Sequence, residues 1–219
     1  MGKFLLKEIK LCLNPVNYLF FALVLMFLIP NYPCYVPFFY ICLGIFFIFN
    51  NGEINRDIQY SLILPITKAD IVKSRCVIVA VYEIVAVLVS IPIAFLMNRI
   101  FPQGNLAGIN ANVAFYGLLL IEMTVFNFIM FRSFYKKGEK PGFPFFYGAI
   151  AYWIIYLLLE SPVWVKNMFN LKYVQIMDSN RPEDMIQQIP VLAVGIVVYI
   201  LGWIVTYKVA ARKFEKVDL

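Results

Sequence analysis

The chain has 219 residues, of which 62% are apolar and 15% charged, with a formal net charge of +6 and no histidine. Soluble domains carry about 45–50% apolar and about 25% charged residues, and a water-facing globule of this size cannot cover so much apolar surface with a polar shell. An ordinary soluble domain and a disordered chain are therefore excluded, and a mean hydropathy of +0.78 points to the bilayer as the solvent.

The chain opens with Lys3, Lys7 and Lys10 on one helical face and Leu6, Ile9 and Leu13 on the other. That spacing predicts an interfacial amphipathic helix over residues 1–14, with lysines toward lipid phosphates and the apolar side in the acyl boundary. No small-x-small cleavage site follows, so the segment reads as retained rather than as a signal peptide. Asn14-Pro15 ends it. A crossing needs roughly 20 mostly apolar residues. The uncharged run from Leu11 to Gly52 holds two, divided where Pro30, Pro33 and Pro37 break the helix. The expected spans are 16–32, 36–53, 74–97, 112–131, 143–159 and 189–207. Residues 54–73 form a loop between the second and third. Residues 160–188 form the longest segment on the opposite side, where Pro162, Trp164, Val165, Met168 and Phe169 suggest a short helix lying on the outer leaflet.

Charge placement tests this count. Lys3, Lys7 and Lys10, the loop with Arg56, Lys68, Lys73 and Arg75, the loop with Arg132, Lys136, Lys137 and Lys140, and the tail with Lys208, Arg212, Lys213 and Lys216 all fall on one side. Only Arg99, Lys166, Lys172 and Arg181 fall on the other. By the positive-inside rule the rich side is cytoplasmic. The expectation is thus an all-α polytopic protein of the cell membrane: one transmembrane domain of six helices, preceded by the interfacial helix, with both termini cytoplasmic. The net charge is topological and calls for no nucleic acid.

The missing residues exclude chemistry. Without histidine there is no Ser-His-Asp triad and no imidazole metal site. Cys12, Cys34, Cys42 and Cys76 form no zinc spacing and read as small apolar residues. No G-x-x-x-x-G-K-[ST] loop occurs, so the chain binds no nucleotide in that manner. No catalytic set, metal site or bound cofactor is expected on this chain.

The loop at 54–73 carries the sharpest pattern. Pro65 ends one short helix, and Thr67 followed by Asp70 has the spacing of a capping arrangement that opens the next. Leu62, Leu64, Ile66 and Ile71 are apolar on a water-facing loop and need a cover. They rest on lipid or on the chain's own helices, or they dock a partner. The run from Glu53 through Leu62-Ile63-Leu64-Pro65-Ile66-Thr67-Lys68-Ala69-Asp70-Ile71-Val72-Lys73-Ser74-Arg75 resembles the signature of the small six-span permeases of type-2 ABC exporters. Phenol-soluble-modulin exporter permeases and bacteriocin export or immunity permeases are among them. The family usually has Ser-Leu where this chain has Ile63-Leu64. The resemblance implies that this loop forms a coupling helix docked into a cleft of a separate ATP-binding-cassette ATPase, with Leu62, Leu64, Pro65, Ile66, Thr67, Lys68 and Asp70 at the coupling positions. It implies two ATPase copies carrying the ATP and Mg, a second permease that is identical or homologous, and export of amphipathic, antimicrobial or toxin peptides. Small residues such as Gly44, Gly117 and Gly148 would let helices approach closely in that assembly.

Glu83 and Glu122 lie near the middle of their spans with no Lys or Arg at matching depth. An intramembrane carboxylate marks a pathway by default, and Glu83, Glu122 and Asn127 are the candidates for lining one. The alternative is that the acids bond neighbouring helices through Tyr82, Thr124, Asn127 or Tyr152. An intramembrane enzyme, or a non-catalytic accessory or sensor protein, remains the competing reading, although an enzyme would need paired acids or a nucleophile-base set.

Overall fold

A computed structural model gives the architecture and describes residues 9, 12–137, 140–165, 169 and 171–217. Lys3, Lys7 and Lys10 of the expected interfacial helix lie outside the described residues. The chain is all-helical, and no strand occurs among the described residues. Its elements are α1 (Pro15–Ala22) continuing into a 3-10 helix (Leu23–Leu28), α2 (Tyr35–Ile54), α3 (Asp57–Ile63), α4 (Lys68–Ile100), α5 (Val113–Lys137), α6 (Gly142–Val165), α7 (Lys172–Met177) and α8 (Pro182–Glu215).

Five of these helices, α2, α4, α5, α6 and α8, are long and apolar enough to cross a membrane. The first expected span is shorter, an apolar stretch over Pro15–Leu28. Its eight α-helical residues and six 3-10 residues reach about 24 Å, at ~1.5 and ~2.0 Å per residue, against ~30 Å of hydrocarbon. Pro15 starts it without sacrificing a bond, since the first N–H groups of a helix have no partner. Asn31, in the left-handed region at φ 55°, turns the chain toward α2.

The fifth span does not end at its expected bound of 159. Helix α6 runs through Pro162 to Val165, and the short helix in that region is α7, further along. The reason is local. Proline leaves the carbonyl of Leu158 without its helical N–H, and the Ser161 hydroxyl donates to that carbonyl instead, at 3.1 Å. Helices α4 and α8 exceed their expected spans at both ends, where they project past the apolar zone.

Helix α8 packs along α5 over most of its length, and α5 in turn packs on α6. The α5–α8 seam has no driving force from water, because lipid is as apolar as leucine, so it relies on close backbone approach. A Cβ on Gly195 would strike the Gly117 carbonyl, and one on Gly202 would strike the Thr124 methyl. The spacing repeats on both helices: Gly117 to Thr124 and Gly195 to Gly202 are each one heptad, which keeps the contact on one seam. Gly44 accommodates the Tyr82 ring, and a Cβ on Gly148 would sit 3.0 Å from the Phe126 ring. Gly44, Gly117 and Gly148 are thus consumed inside the chain, which corrects the expectation that they serve an interface with a second permease.

Replacing Gly195 by Ala should lower stability in detergent by roughly 1–3 kcal/mol through overpacking, read as a fall in the unfolding midpoint. Gly142→Ala, where nothing lies within 4 Å of an added Cβ, should leave the midpoint unchanged. Equal midpoints for both variants would show that the seam is loose.

Candidate functional site

The loop between α2 and α4 folds into a knob at the end of the bundle rich in basic residues. Arg56 takes a left-handed conformation, φ 48°, and turns the chain sharply from α2 into α3. Asp57, in the first turn of α3, is fully buried and ion-paired with Arg75 near the start of α4. The guanidinium also donates to the Ile48 carbonyl at 3.2 Å and lies over the Phe49 ring, 5.2 Å from its centroid. Gly52 leaves space for it, since a Cβ there would sit 2.9 Å from a guanidinium nitrogen. Ser61 donates to the Asp57 carbonyl at 2.6 Å. One pair therefore ties α2, α3 and α4 together. Sequence reading counted Arg56 and Arg75 as topological charges and missed the pairing; the partners sit in different helices, and no spacing rule links them.

The turn after α3 is capped as expected. Thr67 is the N-cap of α4, its hydroxyl accepting from the Asp70 N–H at 3.1 Å while the Asp70 carboxylate accepts from the Thr67 N–H at 3.1 Å. Lys68 donates to the Val217 carbonyl at 2.7 Å and lies over the Phe214 ring, so the C-terminal end of α8 is fastened to the knob. Leu62 and Ile66 are half-buried and pack on the core. Leu64 is half-buried as well, while Pro65, Thr67 and Asp70 are exposed. The most exposed apolar side chain of the knob is Ile63, at 83%, followed by Ile54 at 69% and Tyr60 at 52%. Ile63 lies within the run that carries the resemblance but is not one of the coupling positions it implies. Its exposure follows from the amphipathic turn of α3, whose other side carries Asp57, Ile58 and Ser61 inward.

Within the bundle, Asn127 of α5 donates its amide to both oxygens of Glu83 on α4, at 2.8 and 3.0 Å. The Tyr199 hydroxyl of α8 donates to the same carboxylate at 2.7 Å. Glu83 and Asn127 are thus brought together, with Tyr199 as a third partner that sequence reading missed. Tyr82 and Thr124 turn elsewhere: Tyr82 donates to the Asn17 carbonyl and Thr124 to the Leu120 carbonyl. Glu122 is fully buried beside Tyr152, whose hydroxyl donates to the Tyr35 carbonyl at 2.7 Å, and no hydrogen bond of ordinary geometry reaches either Glu122 oxygen. All three pathway candidates are buried in helix packing.

The opposite end of the bundle is stitched by amides. Asp178 accepts from the Asn110 N–H at 2.7 Å. Asn112 donates to the carbonyls of Met177 and Ser179. Gln188 donates to the Ile176 and Ser179 carbonyls, both at 2.8 Å. A cavity of about 840 Å³ opens there, lined by residues including Asn98, Lys172, Asp178, Arg181 and Asp184. Below it, an apolar groove of about 410 Å³ runs between α4, α5 and α8. No cluster of three or more metal-ligating acids or cysteines occurs among the described residues.

The model of one family, described as ABC-2 family transporter protein, matches residues 3–210. No curated protein and no solved structure matches.

The buried pair sets a prediction. Asp57→Leu or Arg75→Leu alone should cost about 3–5 kcal/mol, because each removes one half of a buried ion pair. The double variant should recover most of that loss. Unfolding midpoints of the two singles and the double, compared as a cycle, check it. Additive losses would mean the charges do not act as a pair.

Proposed function

The chain belongs to the ABC-2 transporter family as a membrane-spanning permease component of an ABC exporter, and from that premise we propose how it is organised and what it carries. It crosses the membrane six times, the short Pro15–Leu28 helix making the first crossing, with both termini on the cytoplasmic side. It works with a second permease, identical or homologous, and with two ATPase subunits that hold the ATP and Mg. Its cargo is an amphipathic peptide of the antimicrobial or toxin kind. The cargo class rests on the resemblance of the Leu62–Arg75 run to the permeases of phenol-soluble-modulin and bacteriocin exporters.

The observation that carries the coupling assignment is a rigid knob bearing exposed apolar groups. Ile63 and Tyr60 project from α3, while the base of α3 is fixed by Asp57 and Arg75. A soluble face would not maintain such side chains without a cover. A cleft in an ATPase supplies one, and the buried ion pair keeps the knob from yielding when it is pushed. The exposed Thr67 and Asp70 add a polar rim beside the apolar tip, the arrangement that gives a docking site register.

Leu62 and Ile66 act from beneath, by shaping the knob, since both pack on the core. Ile63→Asp therefore separates docking from folding better than a change at either of them. A carboxylate desolvated in a cleft costs about 2–5 kcal/mol, so recovery of the ATPase on the purified permease should fall at least thirtyfold, at ~1.4 kcal/mol per decade. The unfolding midpoint should not move, because the side chain is already in solvent. Equal recovery of the ATPase by wild type and variant would remove the coupling assignment.

A further inference from the structure

The cavity and the groove at the far end of the bundle adjoin, with Asn98 bordering both. Their chemistry is divided. The cavity is polar and carries Lys172 and Arg181, both exposed and in no ion pair among the described residues. Asp178, on the same wall, is occupied by the Asn110 backbone and side chain. Asp184 stands at the rim. The groove is apolar, walled by Val87, Ile91 and Ala94 of α4, Leu120 of α5 and Ile196 of α8. From Val87 to Asn98 it runs along α4 for about 16 Å at ~1.5 Å per residue. That is half of the ~30 Å hydrocarbon thickness, measured along the helices and so across the bilayer rather than in its plane.

We propose that the cavity and the adjoining groove together hold one glycerophospholipid of the leaflet opposite the basic loops, with its phosphate at Lys172 and Arg181 and one acyl chain lying in the α4–α5–α8 groove. On the topology proposed above, that is the outer leaflet. Three features favour a lipid over an amphipathic helical peptide. The depth of the groove equals one leaflet. Its direction follows the acyl chains, whereas an interfacial helix lies in the plane of the interface. The two free cations sit at the mouth, where a phosphate must be, and Asp184 beside them accepts from a headgroup hydroxyl or ammonium. The bound lipid fills a cleft that would otherwise separate α4 from α8 on that side, so it is a component of the bundle and is independent of what the exporter carries.

The test uses the full chain reconstituted in phosphatidylglycerol vesicles that contain a small fraction of phosphatidylglycerol with a photoreactive diazirine in mid-chain. After irradiation, adducts are mapped by mass spectrometry. Adducts should concentrate on the groove walls, at Ile91 and Ile196, above the level at exposed residues elsewhere on the belt such as Leu157 of α6. The combination of Lys172→Gln and Arg181→Gln should lower the groove adducts at least fivefold and leave those at Leu157 unchanged. Ile91→Trp, at a side chain 45% exposed, fills the groove from its open side and should lower the Ile196 adducts similarly while both cations remain. This second variant keeps the test valid if the double variant fails to fold. Adducts spread evenly around the belt and insensitive to both changes would overturn the proposal. Displacement of the groove adducts by an added amphipathic helical peptide would also overturn it, by assigning the groove to peptide.

Discussion

The ion pair of Asp57 with Arg75 is the constraint on which the basic end of the molecule depends. Each charge is taken out of water, and neither would be tolerated there alone. Such a pair adds little net stability compared with apolar residues of similar volume. Its consequence is positional. Because the carboxylate must meet the guanidinium, α3 has one place to lie, across the ends of α2 and α4, and Ile63 has one direction to point. The same rule accounts for the clasp at Glu83, since lipid offers no partner to a polar group, whereas Glu122 is buried with no hydrogen bond of ordinary geometry. Glu83 is answered by Asn127 and Tyr199 from two other helices. The amides at the opposite end answer the carbonyls of the segments around α7.

The five long apolar helices were legible because such a helix must be long and almost free of charge, and the sequence records both. The helix start at Thr67 was legible because its cap is made by neighbours in sequence, Thr67 and Asp70. What was not legible depends on distant groups or on a local exception. The span expected to end at 159 runs on through Pro162, where Ser161 supplies the missing donor. Gly117 and Gly195 belong to one seam, but only the packed helices reveal that they face each other. Asp57 and Arg75 look like ordinary loop charges until the left-handed turn at Arg56 brings them together. Glu83 and Asn127 were singled out as intramembrane polar residues, yet spacing could not distinguish a pathway lining from an interhelical clasp.

The same architecture supplies a mechanical route for the proposed cycle. Helix α4 has 33 residues, about 50 Å at ~1.5 Å per residue. It begins at the knob and ends beside the cavity that Asn98 lines. Helix α8 joins the same two places, fastened to the knob through Lys68 and Val217 and to the far end through Gln188. Glu83 and Tyr199 clasp the two helices midway. Under the proposed coupling, a displacement of the knob would act on a braced pair of helices rather than on a loose loop.

The central claim is that Ile63 sits in a cleft of an ATPase. The four native cysteines are buried, so Ile63→Cys places the one exposed thiol among the described residues at the tip of the knob. Membranes containing this variant and the ATPase should be treated with a short thiol-to-amine cross-linker and the adducts sized and identified. The account predicts a permease–ATPase adduct as the main product, lost when the cysteine is moved to a lipid-facing position such as Leu157. Labelling of Ile63→Cys without any ATPase adduct, under conditions where the ATPase remains bound, would contradict it.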